Sequence, residues 1–161
     1  MQDDALVACA PGELPIECLA RFVELIRGGG AIPGDPSKVE KRLLNAKALV
    51  YLRRSGTIVG IAALKRPVES YRTRIGGSAG FPISETDYPY ELGYVVVDAS
   101  MQGQNLSPEL VNAIVALAAG ERLFATTSSA AMHKVLPRAG FVKSGQEYKN
   151  DNGEMLTLYV R

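Results

Sequence analysis

Apolar positions in this chain follow two rhythms, one of about 3.6 residues and one of two, and the switches between them predict its elements. Leu6 to Cys9 is a short apolar run closed by Pro11-Gly12, which predicts an edge strand. From Glu13 onward, Ile16, Leu19, Phe22, Val23 and Ile26 share one helical face. Gly28-Gly29-Gly30 is expected to end that helix, because glycine accepts the left-handed cap conformation. Asp35-Pro36, a cap followed by a first helical residue, opens a second helix through Val39, Leu43 and Leu44. Residues 48–53 and 57–64 read as two strands joined by the turn pair Ser55-Gly56.

Residues 67–90 lose all period and carry Pro67, Pro82, Pro89 and several glycines, so they are expected to form a functional loop or to hide short strands. Residues 91–98 (ELGYVVVD) predict a buried strand. Residues 106–119 predict a helix with Leu110, Ile114, Leu117 and Ala118 on its apolar stripe. A short strand at 123–126 and a short helix at 130–139 follow. The chain closes with strands at 141–149 and 155–160 around a turn at Asn150 to Gly153. This mixed order predicts an α/β domain whose sheet is largely antiparallel, with parallel crossovers in its second half.

Composition narrows the classes. The 161 residues fit one compact soluble domain spanning 1–161, with 47% hydrophobic and 22% charged residues. A net charge of +1 argues against a dedicated nucleic-acid binder. The first residues show no signal-peptide pattern and no stretch is long and apolar enough for a membrane span. Cys9 and Cys18 form no C-x-x-C motif and are expected to be reduced, buried thiols of a cytoplasmic protein. His133 is the only histidine, which disfavours a histidine-based zinc site. Without a G-x-S-x-G motif it also leaves a Ser-His-Asp hydrolase unsupported.

The informative stretch is the junction from Val95 through Asp98-Ala99-Ser100-Met101-Gln102-Gly103-Gln104-Asn105-Leu106-Ser107-Pro108. A strand runs through small and polar residues straight into a helix. Such a junction aims free backbone N–H groups and the positive end of the helix dipole at one spot, a ready site for a pyrophosphate. Gly103 admits a close ligand and Asn105 tolerates positive φ. The plainer alternative is an ordinary turn with Ser107 as N-cap and Pro108 as first helical residue. The dinucleotide G-x-G-x-x-G and P-loop patterns are absent.

This junction resembles the acyl-CoA pyrophosphate loop of the GNAT (N-acetyltransferase) superfamily. The family's Arg-Gly-x-Gly-Ile-Gly pattern aligns with Gln102-Gly103-Gln104-Asn105-Leu106-Ser107. A second resemblance is the run from Ser129 to Gly140-Phe141, similar to the family's short helix ending in Gly-Phe before a strand. Together they imply a GNAT-like fold with about seven strands and about four helices. They also imply acetyl-CoA or another acyl-CoA as co-substrate, no metal, and direct transfer to a primary amine of a small molecule or protein. The alternative is a GNAT-fold module that binds acyl-CoA without turnover. A homodimer is compatible with such folds.

The resemblance further implies residue roles. Val95, Val96 and Val97 would hold the pantetheine arm, the N–H groups from Gln102 to Ser107 the pyrophosphate, and Ser129 and Met132 would lie near the end of the arm. Glu91, at the start of the strand leading into the loop, is the candidate base; the alternative is a solvated strand-end glutamate pairing with a lysine. Leu136 stands where the family often has the tyrosine that protonates the thiolate, and Pro137 is expected to kink the helix or end it early. His133 is a candidate substitute acid or simply an exposed polar residue. Tyr71, Arg72, Arg74, Tyr88 and Tyr90 offer stacking, hydrogen bonds and attraction for a carboxylate, or are plain surface residues. Lys65-Arg66 reads as a solvated strand end.

Overall fold

The computed structural model describes residues 4–28 and 35–161. Its element order is β1 (Ala5–Cys9), α1 (Ile16–Gly28), α2 (Pro36–Leu44), β2 (Ala48–Arg54), β3 (Thr57–Lys65), α3 (Glu69–Ala79), β4 (Tyr90–Val97), α4 (Leu106–Leu117), β5 (Leu123–Thr127), α5 (Met132–Arg138), β6 (Val142–Lys143), β7 (Tyr148–Lys149) and β8 (Met155–Val160). Strands lie in the order β1-β2-β3-β4-β5-β8-β6, with β7 also paired to β8. All pairs are antiparallel except β4 with β5, which is the crossover through α4.

Period-two alternation sorts the sheet's faces. Leu49 and Tyr51 of β2 and Ile61 and Ala63 of β3 meet Phe22 and Ile26 of α1 and Val39 and Leu43 of α2. Their neighbours Val50, Leu52, Ala62 and Leu64 meet Leu110 and Ile114 of α4 and Leu136 of α5 on the other side. Burying apolar residues on both faces contributes about 25 cal/mol for each Å² removed from water. Asp35 caps α2 through the Ser37 N–H at 2.9 Å, and Ser55-Gly56 turns the β2–β3 hairpin with both φ angles positive.

Several expectations are corrected. The segment 67–90 contains α3, whose buried positions Arg72, Ile75, Gly76 and Ala79 do have helical spacing. A glycine and an arginine on the inward stripe, Gly76 and Arg72, hide that period. Gly76 is needed for space, since a Cβ there would sit 3.1 Å from the Phe81 carbonyl oxygen. The strand expected at 141–149 is broken into β6 and β7, with Gly145 between them at φ +69. Pro137 does not end α5, which runs on to Arg138; the proline only deprives the His133 carbonyl of an N–H partner. Ile16 and Leu44 are exposed, and Leu117 is marginally so. In β4 only Glu91 and Leu92 are fully buried. Both cysteines are unpaired but half-buried rather than buried, and burial, then Glu13 and Cys18, push the Cys9 thiol up. Of the proposed glycine stop, Gly28 is the last residue of α1, and Gly29 and Gly30 lie outside the described residues.

Arg72 is a structural residue. It is 3% exposed and donates to the carbonyls of Pro67 (3.1 Å), Ile83 (3.3 Å), Tyr88 and Pro89 (2.8 Å), pinning the return from α3 to β4. Replacing it with methionine leaves those buried carbonyls unpaired. Arg72→Met is therefore expected to lower unfolding stability by roughly 3 kcal/mol or more, read as a lower urea midpoint at an unchanged slope.

Candidate active site

The central feature is a fork in the sheet. β4 and β5 pair only at Tyr90 with Leu123 and at Glu91 with Phe124. Beyond them the strands diverge. On its other side β4 stays on β3, with a bulge between the Ile61 and Ala63 pairings, where Tyr94 takes a positive φ of 53°. A bulge adds twist and bends a strand away from its neighbour. From Gly93 to Val97, the β4 edge facing β5 has no strand partner among the described residues. Backbone polar groups left open in this way need a ligand or water.

The fork opens into a cleft of about 1770 Å³. Ligand pockets for single small molecules run to roughly 1,000 Å³, so this one has room for an extended cofactor and a second substrate. Val95, Val96 and Val97 line it, as do Gln102, Gly103, Asn105, Leu106, Ser107, Ser129, Met132 and Glu91. Residues as far apart in sequence as Glu91 and Met132 are thus brought to one cavity. Gln104 is not among its walls; its amide meets the Met101 sulfur at 3.8 Å.

The loop between β4 and α4 is held from below. Asp98 accepts from the Ser100 N–H at 2.9 Å and from its hydroxyl at 2.8 Å, and pairs with Arg21 of α1 at 2.6 Å. The Ser100 backbone and hydroxyl bonds, then Arg21, hold the Asp98 carboxyl down to about 2. Gly103 follows at φ +86 and Asn105 at φ +57. Asn105, not Ser107, is the N-cap of α4, and its side chain makes no capping bond. Helix starts carry N–H groups without intrahelical partners, and here no cap side chain covers them on the cleft side. Pro108 falls within the first turn.

At the inner end of the fork lies Glu91, 3% exposed. It is neither solvated nor isolated. Its Oε1 is 3.0 Å from Lys65 Nζ, and its Oε2 accepts from the Tyr71 hydroxyl at 2.8 Å. Lys65 and Glu91 are direct partners in the β3–β4 register, so the lysine read as a solvated strand end is the carboxylate's cross-strand counter-ion. The lysine stem crosses Gly93, where a Cβ would come within 2.4 Å of Lys65 Cδ. Its ammonium sits 4.5 Å from the Tyr94 ring centroid and 5.6 Å from that of Tyr71. Burial alone would lower the Lys65 ammonium, but the Glu91 charge and then Tyr94 more than offset this and hold it above the usual lysine range. Burial, reinforced by Glu91, pushes the Tyr71 phenol well up, so it stays protonated as a donor. Tyr148 of β7 also lines the cleft; its buried hydroxyl has no hydrogen-bond partner among the described residues, and burial, then Glu91, push it up to about 12.

The remaining sequence candidates separate. Tyr71 and Arg74 line the cleft, whereas Tyr88 is a core residue whose hydroxyl accepts from Arg122 at 2.9 Å, and Tyr90 packs against the main core. Neither tyrosine is among the cleft walls. His133 also lies outside them, with Nδ1 2.7 Å from the Tyr159 hydroxyl. Ser129 accepts from the Met132 N–H at 3.3 Å, in the turn that precedes α5. Leu136 is fully buried in the core. Lys65 and Tyr148 escaped the sequence reading. Strand register alone points to the first, and no local pattern marks the second.

No protein-family model matches the chain, and neither does any curated protein sequence. Solved structures do. An acyl-CoA N-acyltransferase from Pseudomonas aeruginosa superposes with a TM-score of 0.75 at 15% identity, covering 99% of both chains. A ribosomal-protein-alanine N-acetyltransferase from Brucella melitensis gives 0.66 at 19%, covering 98% of each. N-acetylglutamate synthase from Neisseria gonorrhoeae, complexed with coenzyme A and N-acetyl-glutamate, gives 0.62 at 17%, covering 99% of this chain and 35% of that one. What is shared at these identities is the overall fold. By that likeness the chain has the fold of these acyltransferase structures, a mixed sheet flanked by helices.

Proposed function

We propose that the chain binds acetyl-CoA, or another acyl-CoA, in the β4–β5 fork and transfers its acyl group to a primary amine by direct attack. The observation that carries this reading is the coincidence of an unpartnered β4 edge with an uncovered helix start in one cleft. A pyrophosphate fits the N–H groups from Gln102 to Ser107, where the helix dipole favours negative charge. The amide-bearing pantetheine arm fits the open edge at Val95, Val96 and Val97, pairing with it as a strand would. Ser129 and Met132 flank the arm from the α5 side. No metal enters this scheme.

In this reading Glu91 receives the amine proton, directly or through water, and its contacts with Lys65 and Tyr71 support the role by fixing the carboxylate's orientation. The attacking nitrogen forms the new C–N bond, the C–S bond breaks, the nitrogen's proton passes to Glu91 and the coenzyme A thiolate departs to take a proton from solvent. Leu136 offers that thiolate nothing. Tyr148 has the free phenol in the cleft, and a group at about 12 serves as a hydrogen-bond donor to the departing sulfur rather than a source of a transferred proton. His133 enters this mechanism only as a partner of Tyr159.

The aliphatic Leu136 also supports a second reading, a module that binds acyl-CoA without turnover. Calorimetric titration with acetyl-CoA, followed by thiol-release assays over a panel of amines, separates the two. Micromolar binding is expected, and its absence up to millimolar ligand from folded protein would sink the cofactor assignment.

A further inference from the structure

The charges around Glu91 say what kind of amine suits this cleft, and this inference rests on the acyl transfer proposed above. Among the cations that line the cavity are Lys65 and Arg66 at the end of β3, Arg42 from α2 and Arg74 from α3, the three arginines exposed to solvent. Lys65 is spent on Glu91 at 3.0 Å. Arg74 sits 5.5 Å from the ring centroid of Tyr71, the residue that donates to the same carboxylate. Its only ion-pair partner among the described residues is Asp151, at 4.0 Å, with Arg74 62% and Asp151 98% exposed. So open a pair is worth little and yields readily to a better anion. Arg42 and Arg66 have no ion-pair partner among the described residues.

The carboxylates nearby do not restore the balance. Glu24 is taken by Arg21, and Glu154 accepts from Asn150 and Ser128. Glu91 has one oxygen on Lys65 and the other on Tyr71. A polycationic acceptor would bring more positive charge to a region already in excess of it. An amine with its own carboxylate would instead gain a guanidinium partner.

We infer that the acceptor is a small amine bearing a carboxylate, of the free amino acid or short peptide class, with Arg74 as the residue that binds its carboxylate beside Glu91. Acetyl transfer to such an amine forms the amide C–N bond, breaks the thioester C–S bond and leaves an N-acetyl acid and free coenzyme A.

The test pairs substrates. Release of coenzyme A thiol from acetyl-CoA is followed with each of the common amino acids and a set of short peptides, and in parallel with the matching decarboxylated amines and spermidine. At least one carboxylated acceptor is expected to exceed its decarboxylated partner about 10-fold or more in kcat/KM. Arg74→Gln is expected to raise the KM for that acceptor by roughly 10-fold or more, with kcat moved far less and acetyl-CoA affinity unchanged. Preference for spermidine or the decarboxylated amines overturns the inference, as does an unchanged KM in Arg74→Gln. Turnover of neither set by protein that binds acetyl-CoA overturns it while leaving the cofactor site standing. Failure to bind acetyl-CoA removes both.

Discussion

Gly103→Glu is expected to weaken acetyl-CoA binding by two orders of magnitude or more while leaving the fold intact. The position is open: a Cβ built there meets nothing within 4 Å, so the new side chain has room without disturbing its neighbours. What it changes is charge. A carboxylate beside the proposed pyrophosphate opposes it by about 4 kcal/mol for unit charges ~4 Å apart at an effective dielectric near 20, enough for that loss. The backbone adds a smaller cost, because Gly103 has φ +86 and an L-residue there is strained by roughly 1–2 kcal/mol. Gly103→Ala separates the two effects, since it carries the strain without the charge. Calorimetry should find Gly103→Ala close to the parent protein and Gly103→Glu without measurable binding. Equal losses in both would mean that loop shape, not anion binding, is what matters.

The second large effect is at Glu91. Glu91→Gln keeps the side chain's shape and its contact with Tyr71 but removes the charge that Lys65 faces. If Glu91 takes the amine proton, kcat should fall about 10²–10⁴-fold, the usual range for losing a general base, with acetyl-CoA affinity unchanged. The same substitution leaves a largely buried ammonium without a counter-ion, which typically costs 3–5 kcal/mol. Stability and chemistry are disentangled by adding Lys65→Met. The double variant removes the pair together and should recover most of the lost urea midpoint, because replacing both partners of a buried pair is often nearly neutral. It should recover none of the activity. Recovered activity would make Glu91 a structural counter-ion only.

How much of this was legible in the sequence depends on the range of the interaction concerned. Local patterns determined the elements. Alternating apolar runs predicted β2 and β3, the Asp35-Pro36 start predicted α2, and the positive-φ tolerance of Gly103 and Asn105 predicted the loop that begins α4. Each is a matter of neighbouring residues and backbone sterics, so the chain carries the answer within a few positions. The helix α3 was lost because its inward stripe includes Arg72 and Gly76, and hydrophobic periodicity cannot register a buried arginine whose partners are backbone carbonyls.

The site itself was decided by pairing across the sheet. Glu91 was visible as a carboxylate at the head of a strand, but its burial, its ion pair with Lys65 and its bond from Tyr71 depend on how β3, β4 and α3 come together. Tyr148 lies 57 positions beyond Glu91, and only the pairing of β7 with β8 carries its hydroxyl to the cleft. His133 shows the converse: its chemistry suited an acid, yet the packing of α5 turns it to Tyr159. The sequence by itself determined most of the elements, their order and the strand-loop-helix junction that begins α4, because these are set by local sterics and periodicity. Only the tertiary structure decided which side chains share the fork and which charges remain free there, because contact and solvent exclusion are properties of the packed sheet and not of any stretch of chain.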